Sequence, residues 1–261
     1  MTAPFPFPGL RDDVLLPLSL RRADGPLDAA LCLAAGGAPL RARGHDFLHP
    51  QELERLAAMT ASKRADDFLV GRYACKRVIA HLRPRQDVRD ACVVPGVFTQ
   101  PVLQSSAYLG LQVSISHGAG VGAAIATPDT HPMAIDIEHY APGSCDAIAS
   151  QLTAEELAHV RTLVDGGLAR VQAMTMLWAM KEALSKVLRC GLMVPFTLLE
   201  LDRFERCGTQ LSGWFRHFSQ YKALAIDLGA FTCAVALPRE THGLDLHPLL
   251  PAAPTCGQEP A

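Results

Sequence analysis

The chain has 261 residues, a length that at ~150 residues per domain fits two small domains or one large one. Apolar residues make up 49% of it and charged residues 19%, which excludes the composition of an intrinsically disordered chain. Lys and Arg number 24 against 26 Asp and Glu, a net charge of −2; no overall field is left to hold a polyanion, so a dedicated nucleic-acid binder is disfavoured.

Residues 1–10 hold Pro4, Pro6 and Pro8, with no basic residue before Arg11, unlike a secretory signal. The most apolar stretch, 223–237, is interrupted by Asp227 and falls short of the ~18 apolar residues of a membrane span. The expectation is a cytoplasmic, soluble monomer with no membrane partner. Eight cysteines are scattered singly without a C-x-x-C pair, the pattern of reduced thiols rather than of a zinc site.

Pro and Gly punctuation predicts an N-terminal subdomain (1–130), a C-terminal subdomain (131–240) and a disordered, proline-rich tail (241–261). Leu53, Leu56 and Ala57, then Phe68, Leu69, Val78 and Ile79, recur at helical spacing on either side of polar residues 60–64, which predicts two helices. From Leu111 the period becomes two. Val113 and Ile115 alternate with Ser114 and Ser116, His117-Gly118-Ala119-Gly120 forms a turn, and 121–127 returns, a predicted hairpin. Residues 133–138 read as a third strand, and three in succession predict an antiparallel meander. Thr153-Ala154-Glu155-Glu156 reads as a helix start, and 170–189 as a long helix stopped by Gly191. Residues 198–204, 223–227 and 231–237 read as strands. Helix followed by strands in each half is a faint internal echo.

Four constellations could carry chemistry. Asp136 and Glu138 leave one face of a strand with Cα atoms roughly 6.5 Å apart, either a solvated face or a pair that shares a cation. Trp178, Glu182 and Lys186 are spaced by four along the long helix and share a face. Glu182 and Lys186 are then an ordinary surface pair, or a proton acceptor beside a charge neutraliser in a partly desolvated site. The segment 62–86 holds seven basic and two acidic residues, and Arg72 and Lys76 share a face there, solvated or phosphate-binding. Ser116-His117 precedes a turn whose Gly118 and Gly120 let backbone N–H groups converge on an anion.

Taken in order, these segments resemble the 4′-phosphopantetheinyl transferase superfamily, specifically its Sfp-type branch. The matching blocks are Phe68-Leu69-Val70-Gly71-Arg72 through Lys76; Gly96-Val97-Phe98-Thr99-Gln100-Pro101; Val113 to His117 followed by the Ile135-Asp136-Ile137-Glu138 strand; and the W-x-x-K-E-x-x-x-K run from Trp178 to Lys186. The resemblance implies an α+β fold of two similar pseudo-symmetric subdomains, each a small antiparallel sheet with packed helices, and an active site at their interface. It also implies transfer of the phosphopantetheine arm of coenzyme A to a serine of an apo acyl, polyketide or peptidyl carrier protein, with Mg²⁺ bound and 3′,5′-ADP released. By carry-over, Asp136, Glu138 and Glu182 would hold the metal, and Glu182 would accept the serine proton. Lys186 would meet the pyrophosphate, Ser116 and His117 the CoA phosphates, and Arg72 and Lys76 would add cationic contacts.

The chain departs from the family pattern at Ala134, often glycine; at Gly118, often serine; and at Gln100, often lysine, where a cationic contact to CoA is lost. The chemistry is coherent with the residues. A hard divalent cation takes about six oxygen ligands, and phosphoryl displacement is aided by metal and lysine charges on the diphosphate. A phosphohydrolase using the same acids, and a noncatalytic CoA- or carrier-binding module, are the competing readings.

Overall fold

The computed structural model describes residues 13–36 and 38–250. β1 (Asp13–Arg22) and β2 (Gly25–Ala35) form an antiparallel hairpin. Three short helices follow, α1 (Ala38–Ala42), α2 (Gly44–Phe47) and α3 (Pro50–Ala57), and then the long α4 (Ser62–Leu82). β3 (Val93–Pro95) and β4 (Pro101–Leu103) pair as a small ribbon, and β5 (Leu111–Gly118) and β6 (Val121–Pro128) as a hairpin whose β6 joins β2. This first sheet runs β1-β2-β6-β5.

The second half opens with β7 (Ala134–His139), followed by α5 (Cys145–Ala149), α6 (Ala154–Asp165) and α7 (Arg170–Val187). It closes with β8 (Leu201–Cys207), β9 (Gln210–Phe215), β10 (Tyr221–Asp227) and β11 (Phe231–Pro238), in the sheet order β7-β11-β10-β9-β8. The fold is α+β, two antiparallel sheets each backed by one long helix.

Strand alternation explains the layering. In β2 and β6, Ala30, Cys32, Ala34, Ala124 and Ala126 pack toward α4, while Leu31, Leu33, Val121 and Ile125 share a core with the second sheet. In β11, Ala234 and Ala236 face α7, and Val235 and Leu237 face the first sheet. Small residues lie under the helices and large ones between the sheets, so the layers run α4, first sheet, second sheet, α7. A Cβ on Gly122 of β6 would lie 2.6 Å from the Val70 carbonyl; the absent side chain lets α4 sit that close.

Several expectations are corrected. The meander does not form: β5 and β6 are a hairpin, but β7 pairs with β11 in the other sheet. β1 and β2 are strands that the sequence pattern did not reveal, because Pro17 and Pro26 interrupt long apolar runs. β1 is an edge strand, where proline is tolerated. Of the tail expected to be disordered, 241–250 is packed. His242 exchanges backbone hydrogen bonds with Arg21 over 3.0 and 2.9 Å, and Leu246 and Leu249 are fully buried in the inter-sheet core. Residues 251–261 of that tail lie outside the described residues.

Candidate active site

β5 and β7 are edge strands of different sheets, and two serines join them. Ser114 Oγ accepts from the Ile135 N–H at 3.2 Å, and Ser116 Oγ donates to Asp136 Oδ1 at 2.8 Å. In β7, Ile135 and Ile137 fill the inter-sheet core, so alternation turns Asp136 and Glu138 to the opposite face, where α7 lies. The apolar spacing that makes β7 a strand thus also aims its two acids at the helix.

α7 presents Trp178, Glu182 and Lys186 to that strand. Lys186 Nζ donates to Asp136 Oδ1 at 2.6 Å and to the Ile135 carbonyl at 3.1 Å. Trp178 Nε1 donates to Glu138 Oε1 at 3.3 Å, and its ring stacks on Phe196. Neighbouring Lys181 faces the opposite way, fully buried against Glu156 at 2.7 Å and the Gln151 carbonyl at 3.0 Å. It anchors α7 to the expected start of α6, where Thr153 and Glu156 form a capping box.

The carboxylates repel one another in a half-buried setting. Burial first, then the Asp136 charge, pushes Glu138 up to about 7, against the opposing pull of the Trp178 hydrogen bond and Lys186. Glu182 is raised for the same two leading reasons. Asp136 is 3% exposed, and its Oδ2 has no hydrogen-bond partner. An orphaned buried oxygen, with two further carboxylates that resist ionising together, fits a hard divalent cation such as Mg²⁺. Among the described residues, however, no three Asp, Glu, His or Cys side chains stand close enough to form a ready-made metal cage. The expected trio meets at one seam without closing on a centre.

On the N-terminal side, Gly71 of α4 makes room for His117. A Cβ at residue 71 would lie 3.2 Å from His117 Cδ2. Burial holds the imidazole below its ordinary value, although the residue keeps an exposed surface. Arg72 pairs with Glu52 at 3.0 Å and lies over the Phe68 ring, with Cζ 4.9 Å from its centroid. Arg55 of α3 approaches the same ring at 5.6 Å. Arg55, Arg72 and His117 line one 220 Å³ cavity. Arg55 escaped the sequence reading, since a single arginine on a short exposed helix gives no signal.

Two expectations change here. Lys76 does not reach the cleft: it is 2% exposed, pairs with Glu52 at 2.8 Å and donates to the Val88 and Ala91 carbonyls. A long side chain on the correct helical face is drawn inward because Glu52, itself 2% exposed, requires a counter-charge. The Ser116 hydroxyl, expected on a CoA phosphate, is bound to Asp136 instead. Gln100 folds into its own turn, where Oε1 accepts from the Phe98 N–H at 2.9 Å.

Two further cavities flank the carboxylates. One of 250 Å³ is bordered by Glu182, Lys186, Ser114 and Gln100. The other, of 950 Å³, is mostly apolar, lined by Trp178, Phe196, Ile148 and Val194 with Glu138 at its edge. The seven described cysteines are all free, and burial pushes Cys75 up to about 12, so it stays a thiol. No helix among the described residues is long and apolar enough to cross a membrane.

A family model, the 4′-phosphopantetheinyl transferase superfamily, matches residues 132–236, less than half of the chain. The match takes in β7 with Asp136 and Glu138 and α7 with Glu182 and Lys186, and it shows the family resemblance carried by those motifs. No curated protein matches this chain. Among solved structures, a holo-ACP-synthase from Plasmodium yoelii is similar at 13% identity over 45% of this chain and 97% of that one, with a TM-score of 0.32, a likeness too loose to carry inference.

Proposed function

We propose that this chain transfers the 4′-phosphopantetheine group of coenzyme A to a serine hydroxyl of an apo carrier protein, with Mg²⁺ and with release of 3′,5′-ADP. The observation that carries the reading is the convergence of Asp136, Glu138, Glu182 and Lys186 on the β5–β7 seam, Lys186 Nζ lying 2.6 Å from Asp136 Oδ1, inside the segment matched to the superfamily.

In this reading Arg55, Arg72 and His117 bind phosphate oxygens of CoA in the cavity that they line. Arginine forks suit that role. Asp136, Glu138 and Glu182 hold Mg²⁺, which when bound draws charge from the diphosphate and lowers the barrier to its cleavage. Lys186 donates to the same diphosphate without competing as a ligand. Glu182 accepts the proton of the attacking serine in this reading, a role supported by a carboxyl that burial and Asp136 raise. Ser116 holds Asp136 in register through its hydroxyl.

A phosphohydrolase would use the same acids but activate water. Incubation with CoA, Mg²⁺ and a panel of apo acyl, polyketide and peptidyl carriers, read by intact mass, separates the readings. Transfer adds one phosphopantetheine to a carrier. A carrier left unchanged while CoA is cleaved supports hydrolysis, and CoA binding with neither product supports a noncatalytic module.

A further inference from the structure

Asp136 is a carboxylate with two unequal oxygens. Oδ1 carries the Ser116 hydroxyl at 2.8 Å and the Lys186 ammonium at 2.6 Å, while Oδ2 is buried without a hydrogen-bond partner. The Asp136 side chain is only 4% exposed, and that of Lys186 is 27% exposed. A buried carboxylate needs a positive partner, and here the partner is a lysine whose second contact, the Ile135 carbonyl at 3.1 Å, is on the same strand. A divalent cation drawn to Asp136 therefore meets an ammonium already in contact with it, and two cations at such a distance repel strongly in a half-buried site.

We propose that Lys186 is the resident counter-cation of Asp136, so that a divalent cation and the diphosphate of the substrate load together. The ammonium gives up Asp136 to the divalent cation and is received by the diphosphate. The second half of this statement rests on the transferase reading. The first half, competition between Lys186 and a divalent cation for one carboxylate, does not. Because the coupling is reciprocal, the divalent cation alone binds weakly and tightens when CoA is present.

The test measures Mn²⁺ binding to the full chain by electron paramagnetic resonance, with and without CoA, for the wild type, Lys186→Met and Lys186→Arg. Lys186→Met should bind Mn²⁺ alone roughly tenfold more tightly than the wild type, within the usual range of coupling between sites. Lys186→Arg should behave as the wild type. The tightening by CoA should shrink in Lys186→Met, and adding Asp136→Asn should abolish the gain. Mn²⁺ binding by Lys186→Met that is equal to or weaker than the wild type overturns the proposal, as does a gain that persists with Asp136→Asn. Should Lys186→Met not fold, as read by thermal melting, Lys186→Gln supplies the same comparison. Carrier modification by the wild type with no Mn²⁺ gain in the variant defeats this inference and leaves the transferase reading intact. The Mn²⁺ gain without carrier modification upholds the competition at Asp136 and overturns the transferase reading together with the half that rests on it.

Discussion

Trp178 Nε1 donates to Glu138 Oε1 across 3.3 Å, joining the helix that carries Glu182 to the strand that carries Asp136. The same indole stacks on Phe196 with ring centroids 4.7 Å apart, so Glu138 meets a fixed donor on an apolar wall. Burial first, then the Asp136 charge, raises that carboxyl from 4.5 to about 7, although the indole hydrogen bond pulls the other way. The folded state then holds this proton more tightly than the unfolded chain. The resulting stabilisation is fully present below about 4.5 and is lost as pH rises through about 7, and the raised Glu182 adds in the same sense. In metal-free protein, Glu138→Gln should melt above the wild type at pH 8 by about 2–4 °C, the shift of ~1 kcal/mol in a domain of this size once water screening is allowed for. The gap should close below pH 4.5, and Mg²⁺ at pH 8 should narrow it. Thermal melts across that window are the check, and a gap that widens toward acid contradicts the assignment.

Glu182→Gln keeps the shape of the side chain and its neighbour Ser185 while removing the proton acceptor. Phosphopantetheine transfer should fall by about 10²–10⁴, the usual contribution of a positioned base. CoA affinity measured without a divalent cation, set by Arg55, Arg72 and His117, should change little. Single-turnover mass spectrometry alongside calorimetric CoA binding separates the two quantities, and near-normal transfer would remove Glu182 from the chemistry.

The carboxylate site was more legible in the sequence than the fold around it. Period-two alternation put Asp136 and Glu138 on one face, and period-four spacing aligned Trp178, Glu182 and Lys186; both are local rules that tertiary packing preserved. Which strand pairs with which is a long-range fact. β7 follows β6 after a short turn yet belongs to the other sheet, and nothing in residues 128–133 signals the switch. Lys76 illustrates a second limit. Helical spacing places it beside Arg72, but its burial depends on Glu52, a residue 24 positions upstream whose counter-charge demand only the fold reveals. Arg55 joins the site through a cavity wall, and Ser116 turned from ligand to brace for the same reason: partners distant in sequence choose where a polar side chain points.

Arg55 offers a clean probe of the phosphate-binding cavity. It is exposed, on a short helix, and shares the Phe68 ring with Arg72. Arg55→Ala should raise the dissociation constant for CoA about fivefold, equivalent to ~1 kcal/mol for a charge-assisted contact at a partly exposed site. The melting temperature should be almost unaffected. Calorimetry with CoA and with dephospho-CoA locates the contact: an equal loss for both ligands places it on the diphosphate, and a loss confined to CoA places it on the 3′-phosphate. Unchanged affinity for both would exclude Arg55 from the cavity's function.

Lys76 should behave as a structural residue. Its ammonium is 2.8 Å from Glu52 Oε2 and also satisfies the Val88 and Ala91 carbonyls, tying α3 and α4 to the segment that leads into β3. Glu52 in turn accepts from the Val93 N–H at 3.2 Å and pairs with Arg72. Removing one member of a buried pair strands the other charge, so Lys76→Met should destabilise the protein by about 3–5 kcal/mol. Adding Glu52→Gln should recover part of that loss, because the stranded charge is gone while the two carbonyls still lack a donor. Urea denaturation of the two variants measures both effects. CoA binding by the folded fraction of Lys76→Met should stay within about threefold of wild type, apart from what Arg72 gains in freedom when Glu52 is rebalanced. A stable Lys76→Met with CoA affinity reduced a hundredfold would return the lysine to the ligand.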